Sequence, residues 1–218
     1  MILGFLFRIM GQDNTHFKEF YRSTKSWVLV VCLCLFISVP GAARAQSYQY
    51  ELDPEHTTVG FFVEHLGYAK VFGFFREVTG SYEFNEETGE VSAVTIIADT
   101  NSVFTNHRRR DAHLRSADFL NSRRFPSMSF SGEIASRIDE ETFELTGELQ
   151  LLGEINPLTL VATWNKSGPY PFGDQNYVMG VSARGSFKRS AFGMNYSVEN
   201  GWVGDMVEII IEFEASRR

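Results

Sequence analysis

Cysteine is nearly absent from this 218-residue sequence, which contains only Cys32 and Cys34. Both lie within the apolar run 27–39, and no cysteine follows it. Residues 46–218 therefore cannot form a disulfide, a cysteine nucleophile or a thiolate metal site. Neither cysteine follows the small residue that a lipoprotein cleavage site requires, so lipid attachment is not expected.

A long hydrophobic run is also missing. The longest apolar stretch, Trp27 to Val39, is 13 residues long, whereas a membrane-spanning helix needs about 20. Breakers follow it, and 43–45 has the small-x-small pattern of a cleavage site. We therefore expect residues 1–45 to be a signal peptide, with Met10 as an alternative start, and residues 46–218 to form one exported domain without a membrane span. The basic residues before the apolar run are Arg8, Lys18, Arg22 and Lys25.

Positive charge is scarce after the predicted signal peptide. Residues 1–45 hold five of the 20 basic and two of the 27 acidic residues, so 15 and 25 remain, a formal charge of -10. Such an acidic surface disfavours nucleic acid and anionic membrane surfaces as general partners. Fifteen of the 20 phenylalanines also remain, a large aromatic volume for one small core.

The dominant hydrophobic period after residue 46 is two, which is typical of β-strands with one buried face. Phe143 to Leu152 alternates apolar or small residues with polar ones, and Tyr177 to Phe187 and Val207 to Ala215 repeat the pattern. Weaker strands are predicted at 48–52, 57–66, 71–84, 91–99, 128–138 and 158–166, with turns at 86–89 and 139–142.

This many one-sided strands predict an all-β fold, a lipocalin-like β-barrel of about eight strands. A narrow interior could not hold the glutamates of the polar faces without matching cations, which these strands lack. The glutamates should therefore face water and the apolar residues the interior. This orientation is opposite to that of an outer-membrane barrel, whose apolar residues face lipid.

The alternation stops between Asp99 and Met128, where we predict one helical insertion near residues 105–121. Thr105 or Asn106 is a candidate cap for its first turn. Six of the 15 basic residues lie in this segment, namely Arg108, Arg109, Arg110, Arg115, Arg123 and Arg124.

Two interpretations of these arginines remain open. Arg108, Arg109, Arg123 and Arg124 are best explained as a solvated face whose charges pair with Asp111 and Asp118. Arg110, Arg115 and His113 fit equally well a structural role or an anion site beside a lipid head group, since the arginine fork binds phosphate at two points.

Metal binding and catalysis are not expected. His107 and His113, with His65 elsewhere, lack a spacing that places them on one helix face, and no carboxylate-rich second half of a site is evident. Serines lack a nucleophile-elbow pattern, and no paired carboxylates lie on the apolar faces.

Four segments of the sequence resemble the YceI-like family of periplasmic lipid-binding proteins. They are YELDPEHTTVGFFVEHLG, TNHRRRDAHLRSADFLNSRRFPSMSF, TGELQLLGEINPLTL and VGDMVEIIIEFE, and they occur in order over nearly all of residues 46–218. The resemblance implies an extended lipocalin-like antiparallel β-barrel in the periplasm that encloses a polyisoprenoid or similar long amphiphile. It also implies a homodimer, without catalysis and without a cofactor.

Applied to this sequence, the resemblance and the strand pattern together predict a lipid tunnel and a head-group site. The alternative for each tunnel residue is ordinary core packing. Two other functions remain open. One is an enzyme or redox helper that uses His65 on a bound quinone or fatty derivative, and the other is an envelope-stress interaction module. The predicted tunnel residues are Phe61, Val63, Phe130, Leu149, Met179, Val181, Ile209 and Ile211, and the predicted head-group residues are His65, Arg110, His113 and Arg115.

Overall fold

The structure is a computed structural model that describes residues 46–218, apart from the side chains of residues 133 and 134. The predicted signal peptide 1–45, the alternative start Met10 and both cysteines lie outside the described residues.

Ten strands and one short helix make up the fold of residues 46–218. No helix within residues 46–218 is long and apolar enough to cross a membrane. Short 3-10 turns lie at Thr100–Ser102 and Arg189–Phe192. The elements are β1 (Tyr48–His65), β2 (Ala69–Phe75), β3 (Val78–Asn85), β4 (Glu90–Asp99), β5 (Val103–Phe104), α1 (Arg108–Leu114), β6 (Ser127–Arg137), β7 (Thr142–Leu151), β8 (Glu154–Pro169), β9 (Tyr177–Lys188) and β10 (Val203–Arg217).

Eight of the strands close into an antiparallel barrel. Their order is β10-β9-β8-β7-β6-β4-β3-β1, and β1 pairs in turn with β10, which joins the two edges. The edge of β1 is shared by two strands. Its first part pairs with β3 and its second part pairs with β2, which pairs in turn with β5. The predicted fold, an eight-stranded antiparallel barrel with one helical insertion, is confirmed.

Two predicted segments divide differently in the structure, apart from small shifts at strand ends. Residues 48–52 and 57–66 form one strand, β1, because the irregularity between Leu52 and Thr57 is a bulge within it. There Thr57 Oγ1 donates to the carbonyl of Asp53 at 2.6 Å. Residues 71–84, predicted as one strand, are instead β2 and β3, which break at 76–77 and pair with different parts of β1.

The inward and outward faces agree with the predicted orientation. In β7, Phe143, Leu145 and Leu149 are buried in the core, while Glu144 and Glu148 between them are exposed. The hydrophobic period of two in the sequence therefore corresponds to a barrel with an apolar interior and a polar outer face.

Because neighbouring strands are antiparallel, the connections between them lie at two opposite ends of the barrel. We call the end that carries residues 66–68, 100–126, 152–153 and 189–202 the upper end. The other end, with the connections 86–89, 138–141 and 170–176, is the lower end.

Toward the lower end, two tyrosines stack inside the barrel. The rings of Tyr50 and Tyr82 are 5.2 Å apart and nearly parallel, and the Tyr50 hydroxyl donates to Glu86 at 2.8 Å. Burial raises the pKa of both Tyr50 and Tyr82 above the usual value, and the bond to Glu86 adds to the effect at Tyr50. Among the described residues, the buried hydroxyl of Tyr82 has no hydrogen-bond partner.

These raised pKa values predict a loss of stability in alkali. A tyrosine in the unfolded chain ionises near pH 10, whereas Tyr82 stays neutral in the barrel, so its contribution to stability is complete below about pH 10 and declines as the pH rises further. In urea titrations, the free energy of unfolding of the wild type should decrease between about pH 8 and about pH 11, and it should decrease less in Tyr82→Phe. An unchanged decline in this variant would contradict the assignment.

Candidate functional site

A cavity of about 510 Å³ occupies the upper part of the barrel. This volume lies within the range of roughly 300–1,000 Å³ that is usual for small-molecule sites. Its wall is made of inward side chains from several strands and is almost wholly apolar. The strand residues of this wall include Val59, Phe61, Val63, Val71, Phe75, Met128, Leu149, Leu151, Val207 and Ile209.

The roof of the cavity comes from connections at the upper end. Phe119 and Leu120, which follow α1, face it from one side, and Met194, Tyr196 and Trp202 of the 189–202 connection face it from the other. The His113 ring joins the two sides, because it lies 4.9 Å from the ring of Phe119 and 5.0 Å from that of Tyr196.

Arg189 holds the 189–202 connection in place. Its side chain is 1% exposed and donates to four backbone carbonyls, those of Met194, Tyr196, Val203 and Gly204, at 2.8 to 2.9 Å. Burial lowers the pKa of this guanidinium, and Asp205 opposes the effect. A rigid fork with five donors suits this task, since it bonds carbonyls in several directions at once.

Polar residues gather at the mouth, where the lining becomes exposed. His65 ends β1, and His107, Arg109, Arg110 and His113 come from α1 and its cap. His107 is the N-cap of α1, because its Nδ1 accepts from the backbone N–H of Arg110 at 3.2 Å.

The predicted cap of this helix was wrong. Thr105 does not cap α1, because its N–H and hydroxyl donate instead to the buried carboxylate of Asp111, at 2.8 and 2.5 Å. Asn106 has a left-handed backbone, φ 58°, and only turns the chain toward the helix. The helix is also shorter than the predicted insertion and spans Arg108–Leu114.

The predicted pairing of the four outer arginines was also wrong. Asp111 is occupied by Thr105, and Asp118 accepts from His113 Nε2 at 2.8 Å. Within residues 46–218, no ion pair forms between these carboxylates and an arginine. The four arginines, all exposed, are Arg108, Arg109, Arg123 and Arg124.

The structure brings seven of the twelve predicted site residues to the upper cavity. Three more tunnel residues line a second, smaller cavity of about 80 Å³ nearer the lower end. The two cavities are neighbours along the barrel, because Val59 and Ile211 are partners between β1 and β10 but line different cavities. The upper set is Phe61, Val63, Leu149, Ile209, His65, Arg110 and His113, and the lower set is Met179, Val181 and Ile211.

Phe130 and Arg115 line neither of these cavities. The ring of Phe130 packs so closely on Gly147 that a Cβ on this glycine would lie 2.7 Å from it. The half-buried Arg115 makes a long contact, 3.5 Å, from Nη1 to the carbonyl of Val103. The Arg110 guanidinium is partly committed as well, since it donates to the hydroxyl and carbonyl of Thr105 at 2.8 and 2.7 Å.

Three histidines, His65, His107 and His113, share the mouth. In the part of the chain that the structure describes, no three His, Cys, Asp or Glu side chains lie close enough together to form a metal site.

The sequence did not reveal the roof residues or Arg189. The 189–202 connection has no regular hydrophobic period. The carbonyls that accept hydrogen bonds from Arg189 come close to its guanidinium only when the chain is folded. The one available signal was a single arginine among the apolar residues Phe187, Phe192 and Met194.

Comparison with known proteins places the barrel in a family. Residues 50–215 match the YceI-like domain. The protein YceI of Salmonella arizonae is 34% identical over 190 residues, which cover 87% of this chain and 97% of that protein. This chain belongs to the YceI-like family.

Solved structures resemble this YceI-like barrel. The crystal structure of the Campylobacter jejuni YceI protein is similar with a TM-score of 0.65 and 27% identity, over 71% of this chain and 90% of that one. A domain from Saccharophagus degradans, described as polyisoprenoid binding, is similar with a TM-score of 0.56 and 12% identity, over 78% and 98% of the two chains. At that identity the second likeness shows the fold alone.

Proposed function

We propose that this YceI-like protein is a non-catalytic periplasmic carrier for a long-chain isoprenoid or similar amphiphilic lipid, held inside the barrel. The observation that carries the proposal is the apolar cavity of about 510 Å³, which has a polar mouth at the upper end of the barrel. The polyisoprenoid-binding description of the Saccharophagus degradans domain, which has the same fold, supports it.

The cavity wall suits a hydrocarbon chain. Transfer of such a chain from water gains about 0.8 kcal/mol per methylene, without any directional bond. The smaller cavity beyond Val59 and Ile211 lies deeper in the barrel and has an apolar lining. A chain that enters at the mouth would therefore point its tail toward the lower end and leave its head group beside α1.

Extraction of bound lipid tests this proposal. Protein purified from the envelope of cells that express the full chain should release an isoprenoid or another long-chain lipid, identified by mass spectrometry. Protein without extractable lipid that also fails to take up added polyprenol would refute the carrier function.

The alternative, an enzyme or redox helper that uses His65, predicts that the bound compound changes chemically during incubation. Sedimentation of the same protein checks the homodimer that the family resemblance implies.

The mouth predicts a preference among head groups. Arg109 is exposed, lines the cavity and, among the described residues, forms no ion pair, so its guanidinium is available to a phosphate. We expect Arg109→Gln to weaken binding of polyprenyl phosphate by about fivefold to tenfold and to leave binding of the neutral polyprenol unchanged.

Arg115→Gln is the matched control for Arg109→Gln, because it removes the same charge from a position that does not line the cavity. Competition assays with the two lipids would measure both variants. An equal loss for phosphate and alcohol in Arg109→Gln, or an equal phosphate-specific loss in both variants, would contradict a role of Arg109 in head-group binding.

A further inference from the structure

The two ends of the barrel carry opposite charge. The connections at the upper end hold seven arginines and three carboxylates, although residues 46–218 as a whole have a formal charge of -10. The connections at the lower end hold six carboxylates and neither lysine nor arginine. Arg137 and the C-terminal Arg217 and Arg218 lie at this end too. Arg137 donates to the backbone carbonyls of Asp139 and Glu140. Arg217 covers the rings of Tyr48 and Tyr177, and Arg218 pairs with Glu51.

Four of the upper arginines have exposed side chains without a carboxylate partner. Arg108, Arg109, Arg123 and Arg124 are exposed, and none forms an ion pair within residues 46–218. Arg124 also lies over the ring of Phe125, 5.1 Å from its centroid, and remains exposed there. The expectation that this acidic domain avoids anionic membrane surfaces therefore does not extend to its upper end. A separation of charge along the axis would orient the molecule near a negative surface, upper end first.

Large apolar side chains are exposed at the same end of the barrel as these arginines. Tyr68, at the tip of the β1–β2 turn, is 90% exposed, and Trp202 is 59% exposed. The two connections are joined, because the N–H of Leu66 donates to the carbonyl of Trp202 at 2.9 Å. Leu66 and Trp202 also line the cavity, so this rim is continuous with the mouth.

We propose that the upper end of the barrel docks on an anionic lipid bilayer, with the rim of Leu66, Tyr68 and Trp202 in the interface and the four exposed arginines on the head groups. The inference rests on the proposed function, because a water-insoluble cargo has to pass between the cavity and a bilayer. Tryptophan and tyrosine favour the membrane interface, and arginines beside it are attracted to anionic lipid. Exposed aromatic residues alone do not define the surface, since Phe172 at the lower end is 73% exposed among carboxylates.

Co-sedimentation with vesicles tests the docking. The protein should bind vesicles of phosphatidylethanolamine with phosphatidylglycerol, bind phosphatidylcholine vesicles far less, and dissociate as ionic strength rises. Each arginine near the surface contributes about fivefold to partition, and three independent contributions multiply to roughly a hundredfold. The triple variant Arg108→Gln, Arg123→Gln and Arg124→Gln should therefore bind roughly tenfold to a hundredfold more weakly. None of these three residues lines the cavity.

Two matched controls locate the binding surface. A triple variant with Lys166→Gln, Arg184→Gln and Arg218→Gln has the same net charge as the first one but leaves the upper end intact. Tyr68→Ser should weaken vesicle binding severalfold, whereas Phe172→Ser at the opposite end should not. Equal effects of the two triple variants, equal binding to both vesicle types, or no vesicle binding at all would overturn the proposal. Binding of the upper end to an acidic protein without binding to vesicles would overturn it as well.

Uptake of polyprenol from detergent micelles, measured without vesicles, separates this inference from the carrier function. Wild type and both triple variants should take up equal amounts. Normal uptake together with absent vesicle binding would overturn the docking alone, whereas absent uptake by the wild type would overturn the carrier function on which the docking rests.

Discussion

Replacing both Val63 and Val207 with tryptophan should abolish retention of a long-chain lipid and leave the barrel folded. The two valines are partners between β1 and β10, and both line the upper cavity. Exclusion of only two methylene groups costs ~1.6 kcal/mol, which already exceeds the 1.4 kcal/mol of a tenfold change in affinity. Two indole rings displace far more of the chain, so we expect a loss well above tenfold.

Val161→Trp is the control for this double variant. Val161 lies on β8 with its side chain on the outer face, 42% exposed, so a tryptophan there changes size and hydrophobicity without entering the cavity. Bound lipid per protein, measured after organic extraction, should match the wild type in the control. If the double variant unfolds in urea like the wild type and retains as much lipid, the cargo does not occupy the upper cavity.

Arg189→Met should destabilise the protein more than any other single change proposed for this chain. The substitution leaves four backbone carbonyls without their donor inside the protein. An unsatisfied buried polar group costs about 1–3 kcal/mol, and removal of the buried charge offsets part of the total, so we expect a net loss of about 4 kcal/mol. Urea unfolding followed by circular dichroism measures this loss.

Arg189→Lys distinguishes the charge from the geometry. Lysine keeps the positive charge but lacks the planar guanidinium that bonds four carbonyls. The stability of Arg189→Lys should therefore lie between those of the wild type and Arg189→Met. Because Met194 and Tyr196 form part of the cavity roof, both variants should also release lipid faster. A loss below about 1 kcal/mol in Arg189→Met would show that the 189–202 connection does not depend on this side chain.

The barrel was predictable because its strands are amphipathic. β7 buries Phe143, Leu145 and Leu149 and exposes Glu144 and Glu148, and this alternation is visible in the sequence before any pairing is known. The same pattern could not show that 71–84 breaks into two strands, because the break depends on how β1 divides its edge between β2 and β3. Local alternation thus predicts which face is buried, whereas long-range pairing decides where a strand ends.

The candidate site was predictable only in part, for the same reason. Phe61 and Ile209 point inward by alternation, but whether an inward residue borders a void or packs tightly, as Phe130 does on Gly147, depends on its neighbours across the barrel. Polar partners were harder still. Asp111 directly follows a run of arginines in sequence, yet in the folded turn its carboxylate accepts from the N–H and hydroxyl of Thr105.

Photocrosslinking of a bound lipid tests most directly whether the barrel interior holds the chain. A polyprenol with a diazirine in its chain would be loaded into the purified protein, irradiated, and the modified residues assigned by tandem mass spectrometry. Adducts should fall on inward positions of β1 and β10, such as Phe61, Val63 and Ile209, and should be absent from Val161 on the outer face. Adducts confined to outward positions would contradict the account.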